Sequence, residues 1–169
     1  TLRNTVLARN TSHAMYFFNG DNGIPNGVTG GYCYMYNCTV ADNGGCGYYS
    51  QTGNFDWGEI VPIVINCIFT GNNGYGIFKW SGSIAGSVIS NCLFFGNTNG
   101  PMYTPARYTG SVGDNPVSVG GNKTRVPKYV DAANLNYRIQ SSSAGAGAGL
   151  DLSAAGVTND LVGAARPNG

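Results

Sequence analysis

Three cysteines in this chain directly follow an asparagine: Asn37-Cys38, Asn66-Cys67 and Asn91-Cys92. A thiol in that setting could be a nucleophile, a metal ligand or half of a disulfide, and each use makes a demand elsewhere in the chain. A nucleophile needs a nearby general base; His13 is the only histidine, and it falls in register with none of the three. Structural zinc needs paired Cys or His at short spacing, and no Cys-x-x-Cys occurs. Five cysteines, an odd number, cannot complete a disulfide framework within one chain. No metal and no cofactor is expected.

The carboxylates are equally sparse. Glycoside hydrolysis needs two of them facing each other across a sugar. Asp42 stands alone beside its phrase, and Asp56 and Glu59 share "GNFDWGE" (53–59) with no second acidic pair in register. Asp21, Asp114, Asp131, Asp151 and Asp160 are scattered, and "GDNG" (20–23) offers one Asp where a hard cation wants several. Charged residues are only 10% of the chain and the net charge is +1. A nucleic-acid partner, which requires clustered Lys and Arg, is excluded on that ground. No apolar run approaches the roughly 20 residues of a membrane-spanning helix.

Whatever positions these residues is repetitive. "NCTVADN" (37–43), "NCIFTGN" (66–72) and "NCLFFGN" (91–97) share one pattern: Asn, a small residue, mostly apolar residues, then Asn six places after the first. "NTVLARN" (4–10) is a weaker copy, and "PVSVGGN" (116–122) makes a fifth frame that keeps only the second Asn. The starts at 4, 37, 66, 91 and 116 give steps of 33, 29, 25 and 25 residues. Six residues past the second Asn stand Tyr16, Tyr49, Phe78 and Tyr103, and one place earlier stand Met15, Tyr48, Ile77 and Met102. Another apolar run precedes each Cys copy: "CYMY", "PIVI" and "SVIS".

No stretch keeps a helical 3.6-residue apolar period. The 27 glycines, with abundant Asn, Ser and Thr, favour short strands and turns. Three short strands per unit of about 25 residues predict an all-β parallel solenoid, its equivalent residues stacking about 4.8 Å apart. In that arrangement Asn37, Asn66 and Asn91, and likewise Asn43, Asn72 and Asn97, read as turn residues that hydrogen-bond up and down the stack. Cys38, Cys67 and Cys92 read as a buried column of reduced thiols. Cys33 and Cys46 lie outside that column and could pair with each other. Asn10, Asn37 and Asn122 fit the N-glycosylation pattern, which competes with the ladder for the same side chains.

These rungs resemble right-handed parallel β-helix proteins of the pectin-lyase-like kind. "VPKYVDAANLNYRIQSSSAGAGAG" (126–149) is similar to the "P-x-F-V-D … Y-R-L … S-P-A-I-D-x-G" segment that closes many secreted bacterial β-helix proteins. "GAARPNG" (163–169) resembles the "R-x-x-G" that follows it there. Ser143-Ala144-Gly145 departs from the usual Ser-Pro-Ala. The resemblance implies a right-handed β-helix of about five coils over residues 1–125, with 126–169 a capping or returning segment of the same domain. It also implies the C-terminal portion of such a protein, in keeping with a first residue that is not Met. For polysaccharide lyases of this shape the resemblance implies Asp-bound Ca²⁺ with a Lys or Arg base, and no acidic cluster here supplies it.

Coil lengths differ chiefly in one segment, through 17–31, 50–60 and 79–87. Insertions on one face of a solenoid mark a binding side. Trp57, Trp80, Asp56, Glu59 and Lys79 fall there, with Phe18 and Phe55, as candidates to stack on and hydrogen-bond a polysaccharide; alternatively the rings pack the loops onto the solenoid body. A first rung with no cap before it could also stack end to end on a second copy. The expected protein is a non-enzymatic extracellular or cell-surface β-solenoid, structural, fibre-forming or adhesive. The alternative is a fragment of a polysaccharide lyase or glycoside hydrolase.

Overall fold

A computed structural model describes residues 1–19, 31–52, 60–80, 87–103 and 120–165. Twelve short strands form three parallel four-stranded sheets. Sheet A holds β1 (Leu2–Arg3), β4 (Gly31–Tyr36), β7 (Ile60–Ile65) and β10 (Val88–Ser90). Sheet B holds β2 (Val6–Ala8), β5 (Thr39–Ala41), β8 (Ile68–Thr70) and β11 (Leu93–Phe95). Sheet C holds β3 (Met15–Asn19), β6 (Tyr48–Thr52), β9 (Tyr75–Lys79) and β12 (Gly100–Tyr103). The chain visits A, B and C in turn, so each strand pairs with its own equivalent one coil away. The architecture is the right-handed parallel β-helix expected from the repeat. Among the described residues no helix is long and apolar enough to cross a membrane.

Corners between sheets are made by residues in the left-handed region. At the A-to-B corner stand Asn4, Asn37, Asn66 and Asn91, with φ of 49°, 52°, 57° and 50°. The next corner is made by Arg9, Asp42, Gly71 and Gly96, with φ of 56°, 54°, 61° and 63°. Asn, Asp and Gly pay the least for this conformation, so the turn chemistry fixes where each strand stops.

Alternation then sends every second side chain inward. Three columns meet in the lumen: Leu2, Met35, Val64 and Ile89 from sheet A; Leu7, Val40, Phe69 and Phe94 from sheet B; Met15, Tyr48, Ile77 and Met102 from sheet C. Phe69 and Phe94 stack with centroids 5.4 Å apart. Cys38, Cys67 and Cys92 complete the core, each 1% exposed.

The fifth coil corrects one frame of the sequence reading. Lys123 bridges to Leu93, and Asn91 N donates to Gly120 O at 2.7 Å. Asn122 therefore lies level with Cys92, 30 residues on, and does not continue the column of Asn97. The reason is conformational: Gly121, with φ 73°, serves the corner as well as asparagine does, so the letters change while the backbone repeats. Asn122 Oδ1 accepts from Cys92 N at 2.8 Å, the role that Cys67 Sγ plays towards Cys38 N at 3.4 Å.

Beyond Val126 the chain turns back. β13 (Tyr129–Asp131) and β14 (Asn136–Ile139) pair antiparallel. They are held to the first coils by Arg9, which donates to Ala132 O and Ala133 O at 2.7 and 2.9 Å, and by Tyr137 OH, which donates to Asp42 Oδ2 at 2.8 Å. Residues 144–159 then meet Lys123, Asn91, Asn66 and Asn4 in that order. The segment runs down the outer side of sheet B, one coil at a time.

Candidate functional site

The outward residues of sheet C build the most distinctive surface. Tyr16, Tyr49, Phe78 and Tyr103 occupy one register position on β3, β6, β9 and β12. Parallel pairing brings their rings together with centroids 5.2, 4.8 and 5.0 Å apart and interplanar angles of 18°, 15° and 12°. Tyr75 flanks the column at 5.6 Å from Phe78 and 5.5 Å from Tyr103. Phe18 and Trp80, two residues further along their strands, lie at 6.4 and 6.0 Å from Tyr16 and Phe78. They are 58% and 47% exposed, and Tyr16 is 55% exposed.

The inner rings of the column cover one another's faces, so they present edges and hydroxyls to solvent. Phe18, Trp80 and Tyr16 contribute the broad apolar area. Ring edges carry partial positive charge and exposed faces partial negative charge, which suits the C–H and hydroxyl groups of a sugar. Tyr49 OH donates to Gln51 Oε1 at 2.9 Å and fixes the amide beside the column.

His13 closes the belt at the first coil. Its ring stacks on Tyr49 at 4.3 Å and on Tyr16 at 5.8 Å. Its Nδ1 accepts from Cys46 N at 2.8 Å, which requires a neutral ring with the proton on Nε2. Partial burial lowers its pKa from the ordinary value. Nothing in the sequence ties His13 to this column, because it precedes the strand by two residues and has no counterpart in later coils.

The residues singled out in the sequence are not gathered into one site. Trp80 lies on the aromatic surface. Lys79, the next residue inward, is 1% exposed; strand alternation turns it into the solenoid beside Ser50, away from any surface ligand. Asp56, Trp57 and Glu59 lie outside the described residues, as does Phe55.

The two asparagine columns have different partners. In the inner column exposed Asn10 and buried Asn43 and Asn72 each donate through Nδ2 to the Oδ1 of the next, the last to Asn97, at 2.8 Å throughout. Asn43, Asn72 and Asn97 also donate to the carbonyls of Leu7, Val40 and Phe69. Outside, Asn66 Nδ2 donates to Asn37 Oδ1 at 3.0 Å, and the remaining capacity goes to the returning segment.

The described cysteines are all free thiols, Cys33 and Cys46 included. Burial pushes the Cys67 thiol well up, so it packs as a neutral group. Among the described residues no group of three or more His, Cys, Asp or Glu could hold a metal ion. The described carboxylates have structural partners. Asp42 holds Tyr137, Asp131 accepts from Asn134 N, Asp151 from Ser153 N, and Asp160 from Val162 N and Ala164 N. Between the outer face of sheet B and residues 134–165 runs a trench of about 980 Å³, floored by Val6, Thr39, Ile68 and Leu93.

Compared with known proteins, residues 1–115 match the family described as the right-handed β-helix region. No curated protein matches the chain, and no solved structure does.

Proposed function

The chain belongs to the right-handed β-helix family, and from that premise we propose that it is a non-enzymatic, extracellular or cell-surface β-solenoid that adheres to polysaccharide. The observation that carries this reading is the aromatic surface of sheet C, with Phe18, Tyr16 and Trp80 exposed beside a rigid column of stacked rings. Because the column is held by strand pairing, its rings are already ordered before a ligand arrives, which lowers the entropic cost of binding. Sugar rings along a chain meet successive aromatic groups, so many weak contacts add. End-to-end stacking of copies on the strands of the first coil belongs to the same reading, and sedimentation of the purified chain checks it.

Retention on insoluble polysaccharides, followed by elution with soluble oligosaccharides, tests the adhesion. Trp80→Ala and Phe18→Ala should each weaken retention by about 1–2 kcal/mol, the usual worth of an exposed aromatic contact, while leaving the fold intact. Lys79→Met should leave binding unchanged in any variant that folds. Absence of retention on a broad polysaccharide panel would overturn the reading. Release of unsaturated or reducing sugar, with or without Ca²⁺, would replace it with an enzymatic one.

A further inference from the structure

Phe18, Gln51 and Trp80 share one register position on three successive coils. Phe18 pairs with Gln51 across β3 and β6. Trp80 N donates to Ser50 O at 2.9 Å, which carries the pairing of β6 and β9 one residue beyond Lys79. Strand spacing therefore sets Phe18 and Trp80 two coils apart, about 9.5 Å along the axis. Their rings follow the aromatic column beside them: Phe18 lies at 9° to Tyr16, and Trp80 at 23° to Phe78. Both turn their faces along the stack, towards the level of Gln51.

Gln51 does not fill that level. Its Oε1 accepts from Tyr49 OH at 2.9 Å, which draws the amide aside towards the column, and Phe18 and Trp80 remain 58% and 47% exposed. The same bond sorts the polar groups at the floor of the gap. Gln51 Nε2 has no hydrogen-bond partner among the described residues and keeps its N–H groups to donate. The Tyr49 oxygen, its proton committed, keeps lone pairs to accept. A donor and an acceptor side by side match the adjacent hydroxyls of a sugar ring. The width of the gap selects as well. Carbon contacts of about 3.5–4.0 Å on each side leave room for a puckered saturated ring, whereas a flat aromatic ring would touch one face only. Among the described residues, the outward side chains of sheet C carry no charge, since Lys79 turns inward and is 1% exposed. A sugar carboxylate would meet no cation there.

We propose that Phe18, Gln51 and Trp80 form a subsite for one neutral pyranose unit, clamped between the two rings and hydrogen-bonded through adjacent hydroxyls to Gln51 and Tyr49. This inference rests on the polysaccharide-adhesion reading and names the sugar class that the surface takes: neutral units and not uronates. Gln51 sets that choice, because it stands between the two rings and its charge decides which unit the clamp admits.

Affinity electrophoresis of the full chain tests this, in gels containing a soluble β-glucan, a galactomannan or an α-glucan. Each glycan is also used in its uronate form, made by oxidising the primary alcohols. The wild type should bind at least one neutral glycan about ten-fold more tightly than its uronate form, since a buried carboxylate without a partner is costly. Gln51→Ala should weaken neutral binding by about three- to ten-fold, the worth of the hydrogen bonds removed. Gln51→Glu keeps the bond from Tyr49 but has no N–H, so it should show the same loss should alanine disturb the column. Gln51→Lys should turn the preference towards the uronate form, and added salt should weaken that reversal. Phe18→Ala combined with Trp80→Ala should lose little more than either alone, because one clamped unit depends on both rings. Binding that needs Trp80 but ignores Gln51, or that is equal for neutral and uronate forms, would overturn the subsite and leave adhesion standing. Retardation by no glycan in either form would overturn both.

Discussion

Asn66 and Asn72 belong to the same coil and carry the same amide, yet one sits half-buried at a corner with φ 57° and the other is 0% exposed. Asn66 is chosen for its backbone, since few residues other than Gly accept the left-handed region cheaply. Asn72 is chosen for its side chain. It is buried in the turn and donates to Val40 O at 3.1 Å while bonding the amides above and below. One residue type thus serves two physical needs six positions apart. The inner need is met within the stack; the outer one leaves amides over for the returning segment.

That contrast can be broken by substitution. Asn72→Ala removes a buried donor and acceptor that serve three coils, and should cost about 3–5 kcal/mol, because each buried polar group left unpaired costs about 1–3 kcal/mol. Asn66→Gly keeps the corner relaxed and loses only partly exposed bonds, so it should cost about 1–2 kcal/mol. Urea unfolding of both variants checks the order, and equal losses would refute the distinction between the columns.

Asn122 sharpens the comparison, because it stands in neither asparagine column. With its Oδ1 on Cys92 N and its Nδ2 on Ile89 O at 2.9 Å, it ends the cysteine column. Asn122→Cys restores the acceptor used in the earlier coils and should cost about 1 kcal/mol or less. Asn122→Leu leaves Cys92 N unpaired and should cost about 1–3 kcal/mol. If the two variants were equally stable, the register of the fifth coil would be wrong.

The smallest effect belongs to His13, a titratable relative of these rungs: its Nδ1 accepts main-chain N–H from the next coil, where the inner amides accept it from the coil before. Burial lowers its pKa in the folded state, so the neutral ring is favoured there. Its contribution is fully present above the unfolded value of about 6.5, and it is lost as pH falls through the lowered folded value. The melting temperature should therefore drop by a few degrees on acidification from neutral, first at Cys46 N in amide exchange. His13→Asn should flatten that dependence; an unchanged slope would assign it to other groups.

The solenoid was legible in the sequence because parallel in-register stacking makes each coil solve the same problem. Corners need Asn or Gly and the lumen needs apolar residues, so letters recur at the coil spacing. The aromatic column at Tyr16, Tyr49, Phe78 and Tyr103 shared that legibility, since its spacing is the coil's own. What escaped was whatever does not repeat. The fifth coil replaced asparagine with Gly121 and lengthened the preceding segment, and a frame drawn from letters slipped with it. Lys79 stands among the surface candidates because it falls in the variable segment with Trp80, and strand alternation turns the two opposite ways. The pairing of Tyr137 with Asp42 joins residues 95 apart and leaves no local trace. Asp42 differs from Gly71 and Gly96 at the same corner, the one hint that something outside the stack would meet it.

The returning segment changes what kind of object the coils make. A plain stack of repeats can fray from either end, since each coil touches only its neighbours. Here the chain that leaves the fifth coil is fastened to the first through Arg9 and Asn4, and to the coils between through Asn91 and Asn66. It acts as a tie-rod beside a column of discs: tension along the axis is shared between the stacked strands and a strap whose bonds are loaded in shear. Loosening one disc then strains the strap that holds the others, so the coils should melt as a unit, and a solenoid of few turns can resist forces that would peel the same turns apart singly.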